Sequence, residues 1–266
     1  MFIDTHCHVH DVGYEPDVDE VLKRAQLAGV TKMICVGTDA PSSLDARALA
    51  ERYDNLSYSI GIHPHETLVS EIRNQDGLSG LDILRRSATE ARASVKGSKL
   101  VGVGEIGLDY FYLHSPKDVQ MRVLRGQLDL AVEFNLPVIF HVRDAFDDFW
   151  PIFDSYGGKL RGVLHSFTDS MENMRAGIER GLYIGVNGIS TFTKDEAQKR
   201  MFEAIPSERL LLETDAPFLT PVPLRGKVNE PAFVKQVAEH HAVVTGLPLD
   251  VIARTTTANA HALFAL

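Results

Sequence analysis

Short apolar runs alternate with longer amphipathic segments along the chain. The runs that read as strands are Phe2–Asp4, Lys32–Val36, Ser57–Ile60, Leu100–Val103, Pro137–Phe140, Gly162–Leu164, Leu182–Val186 and Arg209–Leu212. They are nearly continuous in apolar residues, as expected for parallel strands covered on both faces. Between them apolar positions recur at helical spacing. This predicts helices over Val18–Ala28, Ser42–Arg52, Gly80–Val95, Pro116–Phe134, Ala145–Ser155, Ser170–Arg180 and Lys194–Ala204. Two more, Pro231–Thr245 and Pro248–Leu263, close the chain, and Pro116 and Pro231 stand where a first helical turn tolerates proline. Eight β-then-α units in 266 residues predict the α/β class and a (β/α)8 TIM barrel, as one domain over 1–266. A doubly wound sheet is the alternative. The sequence shows no internal repeat, low-complexity stretch or linker.

Read to their C-terminal ends, the predicted strands carry a recurring chemistry. The first ends in His6-Cys7-His8, the third in His63-Pro64-His65 and the fourth in Glu105-Ile106-Gly107-Leu108-Asp109. The fifth ends in His141, the sixth in His165 and the eighth in Glu213-Thr214-Asp215. Residues i and i+2 of a strand point to one side, so His6 and His8 can aim at one point. In a barrel the strand ends converge on the face where active sites are built. A single buried histidine is usually a satisfied core residue. Histidines at several strand ends, joined by Glu105 and Asp215, predict a metal site.

Imidazoles and carboxylates without thiolates suit Zn, Mn, Ni or Fe, with Mg less natural. Six candidate ligands exceed the needs of one tetrahedral ion, so two divalent ions are expected, with a carboxylate such as Glu105 between them. Two ions roughly 3.5–4 Å apart activate water and stabilise a leaving oxygen, which is hydrolysis without a protein nucleophile.

Composition narrows the reading further. The formal net charge of −9 argues against extended nucleic-acid binding through many Lys and Arg contacts. It leaves room for an enzyme that binds a strand end locally, where a metal cluster supplies the positive charge. The two cysteines, Cys7 and Cys35, make no disulfide framework, and Cys7 should face away from its histidine neighbours. Met1-Phe2-Ile3-Asp4 runs straight into a predicted strand, so no signal peptide, no membrane segment and a cytoplasmic location are expected. His10 reads as a neighbour of the first pair, whereas His114, His240, His241 and His261 read as surface or packing residues. Gly102–Gly107 matches G-x-G-x-x-G, but Leu108-Asp109-Tyr110-Phe111-Tyr112 is poor helix-start sequence. A dinucleotide cofactor is therefore not expected.

The ordered set of motifs resembles the TatD family of metal-dependent deoxyribonucleases, within the amidohydrolase-like hydrolases. The matching segments are Asp4–His8, Gly61–Pro64, Gly104–Tyr110, Pro137–His141, Val163–Phe167, Leu212–Pro217, Arg225–Pro231 and Thr257–Asn259 with Phe264. The resemblance implies that His6, His8 and Asp215 hold one metal and that His141 and His165 hold the other. Glu105 would bridge them, and Asp215 would also accept the proton of the attacking water. It implies further that His63, Asp109 and Glu213 support the ligands or contact substrate, and that Arg225, Lys227 and Asn229 meet phosphate or sugar. Two positions depart from the family pattern: Val186-Asn187-Gly188-Ile189 stands where a Phe-Ser-Gly-Ile type run is common, and Ala260 where an aromatic often follows Asn259.

The expected activity is phosphodiester hydrolysis, as a monomeric 3′-5′ exonuclease on single-stranded DNA ends, with RNA as a further substrate. An esterase or amidase, such as an aminoacyl-tRNA deacylase, is the alternative that the same metal centre allows. A non-catalytic binding module is disfavoured by the intact ligand set.

Overall fold

A computed structural model describes residues 1–94 and 97–266. Residue 95, the last of the predicted helix Gly80–Val95, lies outside the described residues. The strands are β1 (Phe2–Cys7), β2 (Val30–Val36), β3 (Leu56–Ile60), β4 (Leu100–Asp109), β5 (Val138–Arg143), β6 (Gly162–Leu164), β7 (Tyr183–Val186) and β8 (Leu210–Leu212). The helices are α1 (Val18–Leu27), α2 (Ala40–Ala50), α3 (Thr67–Ser70), α4 (Gly80–Arg92), α5 (Lys117–Phe134), α6 (Phe146–Asp154), α7 (Met171–Glu179), α8 (Ile189–Phe192), α9 (Glu196–Glu203), α10 (Val234–Thr245) and α11 (Leu249–Phe264). The strands form one sheet in sequence order, and a parallel bridge joins Cys7, in β1, to Ala216, just after β8. This is the connectivity of a (β/α)8 barrel. No helix among the described residues is long and apolar enough to cross a membrane.

By contact density the chain divides into two compact units. The first comprises Met1–Ile34 and Leu164–Leu266. Within it β7 and β8 run parallel, with Ile184 opposite Leu210 and Val186 opposite Leu212. Ile184, Val186, Leu210, Leu211 and Leu212 are all buried, so these short strands are held by apolar burial as much as by their ladder. Polar caps set the helix starts. Asp17 accepts from Glu20 N at α1, Ser170 from Asn173 N at α7 and Asp195 from Ala197 N at α9.

The second unit spans Cys35–Val163. Here β3 pairs with β4 and β4 with β5, all parallel. β4 is the long strand of the sheet. It runs on through Asp109, where the sequence pattern places its end at Val103, because Glu105 and Asp109 are buried polar residues that interrupt the apolar run. Ser79 and Asp82 form a reciprocal capping box at the start of α4. α5 ends at Asn135 in the left-handed conformation (φ 54°), a position asparagine tolerates.

Candidate metal centre

In the first unit the site begins on β1. His6 lies within the strand and His8 one step beyond it. Cys7 between them faces the other way, and its thiol donates to the Ile34 carbonyl at 3.4 Å. The chain leaving β8 is fixed against β1: Asp215 N donates to the His6 carbonyl (2.9 Å) and His8 N to that of Ala216 (2.7 Å). Asp4 secures the same junction, accepting from Thr214 Oγ1 at 2.6 Å and Thr214 N at 2.9 Å. Burial pushes the Asp4 carboxyl up to about 8, against the pull of those bonds. Asp215 adopts φ 60°, a left-handed conformation that aspartate tolerates better than most residues.

Four donor groups converge there. The Nε2 atoms of His6 and His8 are 3.1 Å apart. Asp215 Oδ1 lies 3.6 Å from His6 Nε2, 3.4 Å from His8 Nε2 and 3.7 Å from His165 Nε2. The His6 and His165 rings stack with centroids 3.4 Å apart. Ligands held at 2.0–2.1 Å around a tetrahedral ion lie roughly 3.3–3.5 Å from one another, so this set fits a small divalent cation. Behind His165, Glu213 Oε1 stands 3.0 Å from Nδ1 and accepts from Ser166 N at 2.6 Å. The carboxylate thus lies on the Nδ1 side of the ring while Nε2 faces the other donors. Gly185 in β7 makes room for it, because a Cβ there would lie 2.5 Å from Glu213 Oε2.

The second unit holds another donor set. Between the pairs Val103–Val138 and Ile106–Phe140, Gly104 and Glu105 of β4 face Ile139 alone. This bulge re-aims the Glu105 side chain. Glycine is required at Gly104, where a Cβ would lie 2.5 Å from Ile139 Cβ. Glu105 Oε1 then sits 3.0 Å from His141 Nδ1 and 3.4 Å from His63 Nε2. His141 presents its other nitrogen to Asp109 Oδ2 at 2.9 Å, and His65 Nε2 reaches the same oxygen at 3.1 Å. Asp109 is fully buried, and its Oδ1 accepts from the backbone N–H of Phe111 and Tyr112.

The local electrostatics follow from these contacts. Burial pushes the Asp215 carboxyl up, but a hydrogen bond from His8 and the positive character of His165 and His6 prevail and hold it below its ordinary range. Burial likewise opposes the charged form of His141, yet Asp109 and Glu105 prevail and raise it. His63 is pushed down to about 4, chiefly by burial and then by His141, so at neutral pH it is an uncharged ring able to offer a lone pair.

The structure therefore brings His6, His8, His165 and Asp215 together in one unit, and His63, Glu105 and His141 together in the other. Grouping with Glu105 and His141 is a property of His63 that the sequence reading, which assigned it to substrate, missed. Its place at the end of β3 was the available signal. Glu213 and Asp109 are buried against ligand-capable histidines. Asn229 is also buried, and its amide donates to the carbonyls of Thr214 and Phe218. Arg225 is exposed in the same loop, its guanidinium 4.0 Å from the Phe192 ring centroid with one nitrogen donating to Thr220 O. Lys227 is exposed nearby, its carbonyl accepting from Thr220 Oγ1. His10 is partly buried 3.3 Å from Asp11 Oδ1.

Clustered imidazoles and carboxylates at the strand ends of a (β/α)8 fold define a metal-dependent hydrolase. Comparison with known proteins makes this specific. The family described as TatD related DNase matches residues 3–265. The chain is 38% identical over 265 residues to a metal-dependent hydrolase named YabD from Bacillus subtilis, covering 99% of each chain. It is 34% identical to the 3′-5′ ssDNA/RNA exonuclease TatD of Salmonella typhimurium, covering 94% of each. Among solved structures it superimposes on YJJV, a TatD homologue from Escherichia coli K12, with a TM-score of 0.86 and 31% identity, covering 100% of this chain and 98% of that one. The chain belongs to the TatD family.

Proposed function

We propose that this protein is a phosphodiesterase that uses two divalent metal ions to remove nucleotides from the 3′ ends of single-stranded DNA, with RNA as a further substrate. It acts as a monomeric, single-domain cytoplasmic enzyme. The observation that carries the reading is the pair of imidazole–carboxylate clusters in a chain 34% identical to a 3′-5′ ssDNA/RNA exonuclease. Zn, Mn, Ni and Mg are the ions to test. Ester or amide hydrolysis on the same centre finds no support among the relatives described above.

His6, His8, His165 and Asp215 hold one ion in this reading, and His141, Glu105 and His63 face the other. By the family resemblance, Glu105 would serve both ions and His165 would contribute to the second. Bound ions supply Lewis acidity, lowering the pKa of water and drawing charge from a phosphoryl oxygen. Asp215 takes the proton of the attacking water. Its carboxylate is 15% exposed, the most open group of its cluster, and held in its basic form at neutral pH. Glu213 and Asp109 are too buried to meet substrate; Asp109 bonds His141 Nε2, and Glu213 places its charge beside His165 Nδ1. Arg225 and Lys227 offer charge to a phosphate, and Asn229 holds their loop in place. A chain of net charge −9 gains little from the polyanion at large, so affinity concentrates at the centre.

The test is incubation of metal-stripped and metal-restored protein with 5′-labelled single-stranded DNA and with aminoacyl esters. The reading requires stepwise shortening of the DNA from the 3′ end only when metal is restored. Ester cleavage without DNA cleavage would sink it.

A further inference from the structure

The turn that follows β4 leaves two aromatic rings in solvent beside the second donor cluster. Phe111 is 55% exposed and Tyr112 51% exposed, although the strand they leave is buried throughout. Their rings meet edge to face with centroids 4.8 Å apart. The guanidinium of Arg143, at the end of β5, lies over both, with Cζ 4.1 Å from the Phe111 centroid and 4.8 Å from that of Tyr112. Arg143 is exposed, and among the described residues no carboxylate pairs with it. A fold that only needed a turn here would not leave two large rings in water under an unneutralised cation.

This turn is also held rigidly. Gln120, buried in α5, accepts from Asp109 N at 2.8 Å and donates to the carbonyls of Asp109 (3.0 Å) and Ser115 (2.8 Å), clamping both ends. Inside the turn, Phe111 N and Tyr112 N donate to Asp109 Oδ1 at 3.0 and 2.9 Å. The other oxygen of that carboxylate holds His141. One side chain therefore fixes both the backbone that carries the rings and a ligand-capable histidine.

We infer that Phe111, Tyr112 and Arg143 form a stacking platform for a terminal base of the single-stranded substrate. Flat rings accept any base, because every base has a π face, and Arg143 supplies the charge that the adjoining phosphate needs. This deepens the function proposed above and rests on it for the identity of the substrate. It makes the platform the residue set that distinguishes an unpaired end from a paired one, since a stacked base has left its duplex.

The experiment uses an oligonucleotide with 2-aminopurine at its 3′ nucleotide, whose fluorescence falls on stacking. Binding is read in the metal-loaded protein with and without Phe111→Leu/Tyr112→Leu, on a strand whose 3′-terminal linkages are hydrolysis-resistant phosphorothioates that keep it whole. Leucine keeps apolar bulk and removes the flat face. Quenching is expected with the rings present and is lost without them. An oligonucleotide with an abasic 3′ nucleotide should bind both proteins equally. In the otherwise wild-type enzyme the double variant should raise KM for single-stranded DNA about tenfold, within the roughly 5- to 150-fold range for loss of base stacking, and leave kcat within about twofold. Phe111→Tyr should behave as wild type. Equal quenching and equal KM in the leucine variant would overturn the platform while leaving the proposed activity standing. Ring-dependent quenching in a protein that cleaves no nucleic acid would support the platform and sink the proposed activity.

Discussion

Asp109→Asn should weaken one metal and leave the other untouched. In the wild type His141 shows Nδ1 to Glu105 at 3.0 Å and Nε2 to Asp109 at 2.9 Å. Both neighbours are acceptors, so the metal-free ring is drawn towards its doubly protonated form; a cation at the Glu105 side displaces the Nδ1 proton, and Asp109 then keeps the remaining proton on Nε2 and the Nδ1 lone pair on the ion. Asparagine preserves the oxygen that serves the N–H groups of Phe111 and Tyr112, but turns an NH2 toward His141 and His65. That group donates to Nε2 and forces the proton onto Nδ1, where it blocks the ligand. The lost interaction is a hydrogen bond to a charged group, about 1.5–3 kcal/mol. At about 1.4 kcal/mol per factor of ten, this is an affinity loss of about 10- to 150-fold. The assay is calorimetric titration of metal-stripped protein, with thermal unfolding as a check on the fold. One binding event should weaken by that factor and the other should stay within about threefold of wild type. Two unchanged events in a folded protein would refute the tautomer reasoning.

Two other predictions concern stability. His241 in α10 is buried with both ring nitrogens lacking hydrogen-bond partners, and burial followed by the neighbouring His240 pushes it down to about 4. The folded state keeps this ring neutral while the unfolded chain binds a proton below its ordinary pKa of 6.5. Stability should therefore fall as pH drops from about 6.5 toward 4, by about 3 kcal/mol from this residue. His241→Leu should remove that acid loss and raise the urea midpoint at neutral pH; an unchanged pH dependence would contradict it. Gly185→Ala places a methyl 2.5 Å from Glu213 Oε2 and should displace the carboxylate that stands beside His165 Nδ1. Overpacking of this kind costs about 1–3 kcal/mol, and urea unfolding with metal titration should show both lower stability and weaker binding of the ion near His165.

Much of this was legible before any coordinates. The apolar runs marked the eight strands, and β6 matched the predicted Gly162–Leu164 to the residue. Strand-end polarity singled out His6, His8, Glu105, His141, His165 and Asp215 as candidate ligands, and the structure places each in a donor group that could hold a metal. What was hidden is tertiary or short. β1, β4 and β5 extend to Cys7, Asp109 and Arg143, beyond the apolar pattern that marks a strand, because site residues occupy their last positions. The four-residue helices α3 and α8 are too brief to establish a helical period. The grouping of His63 with Glu105 depends on a bulge that periodicity cannot signal. The burial of Asn229 in its own loop depends on carbonyls at Thr214 and Phe218, which no motif announces.

The most direct test of the central claim is a stoichiometric metal titration of stripped protein, followed by release of 3′ nucleotides from single-stranded DNA. The account predicts no release without metal, a rate that climbs to two equivalents per chain, and a plateau thereafter. Release that persists in the stripped protein, or a rate indifferent to added metal, would contradict it.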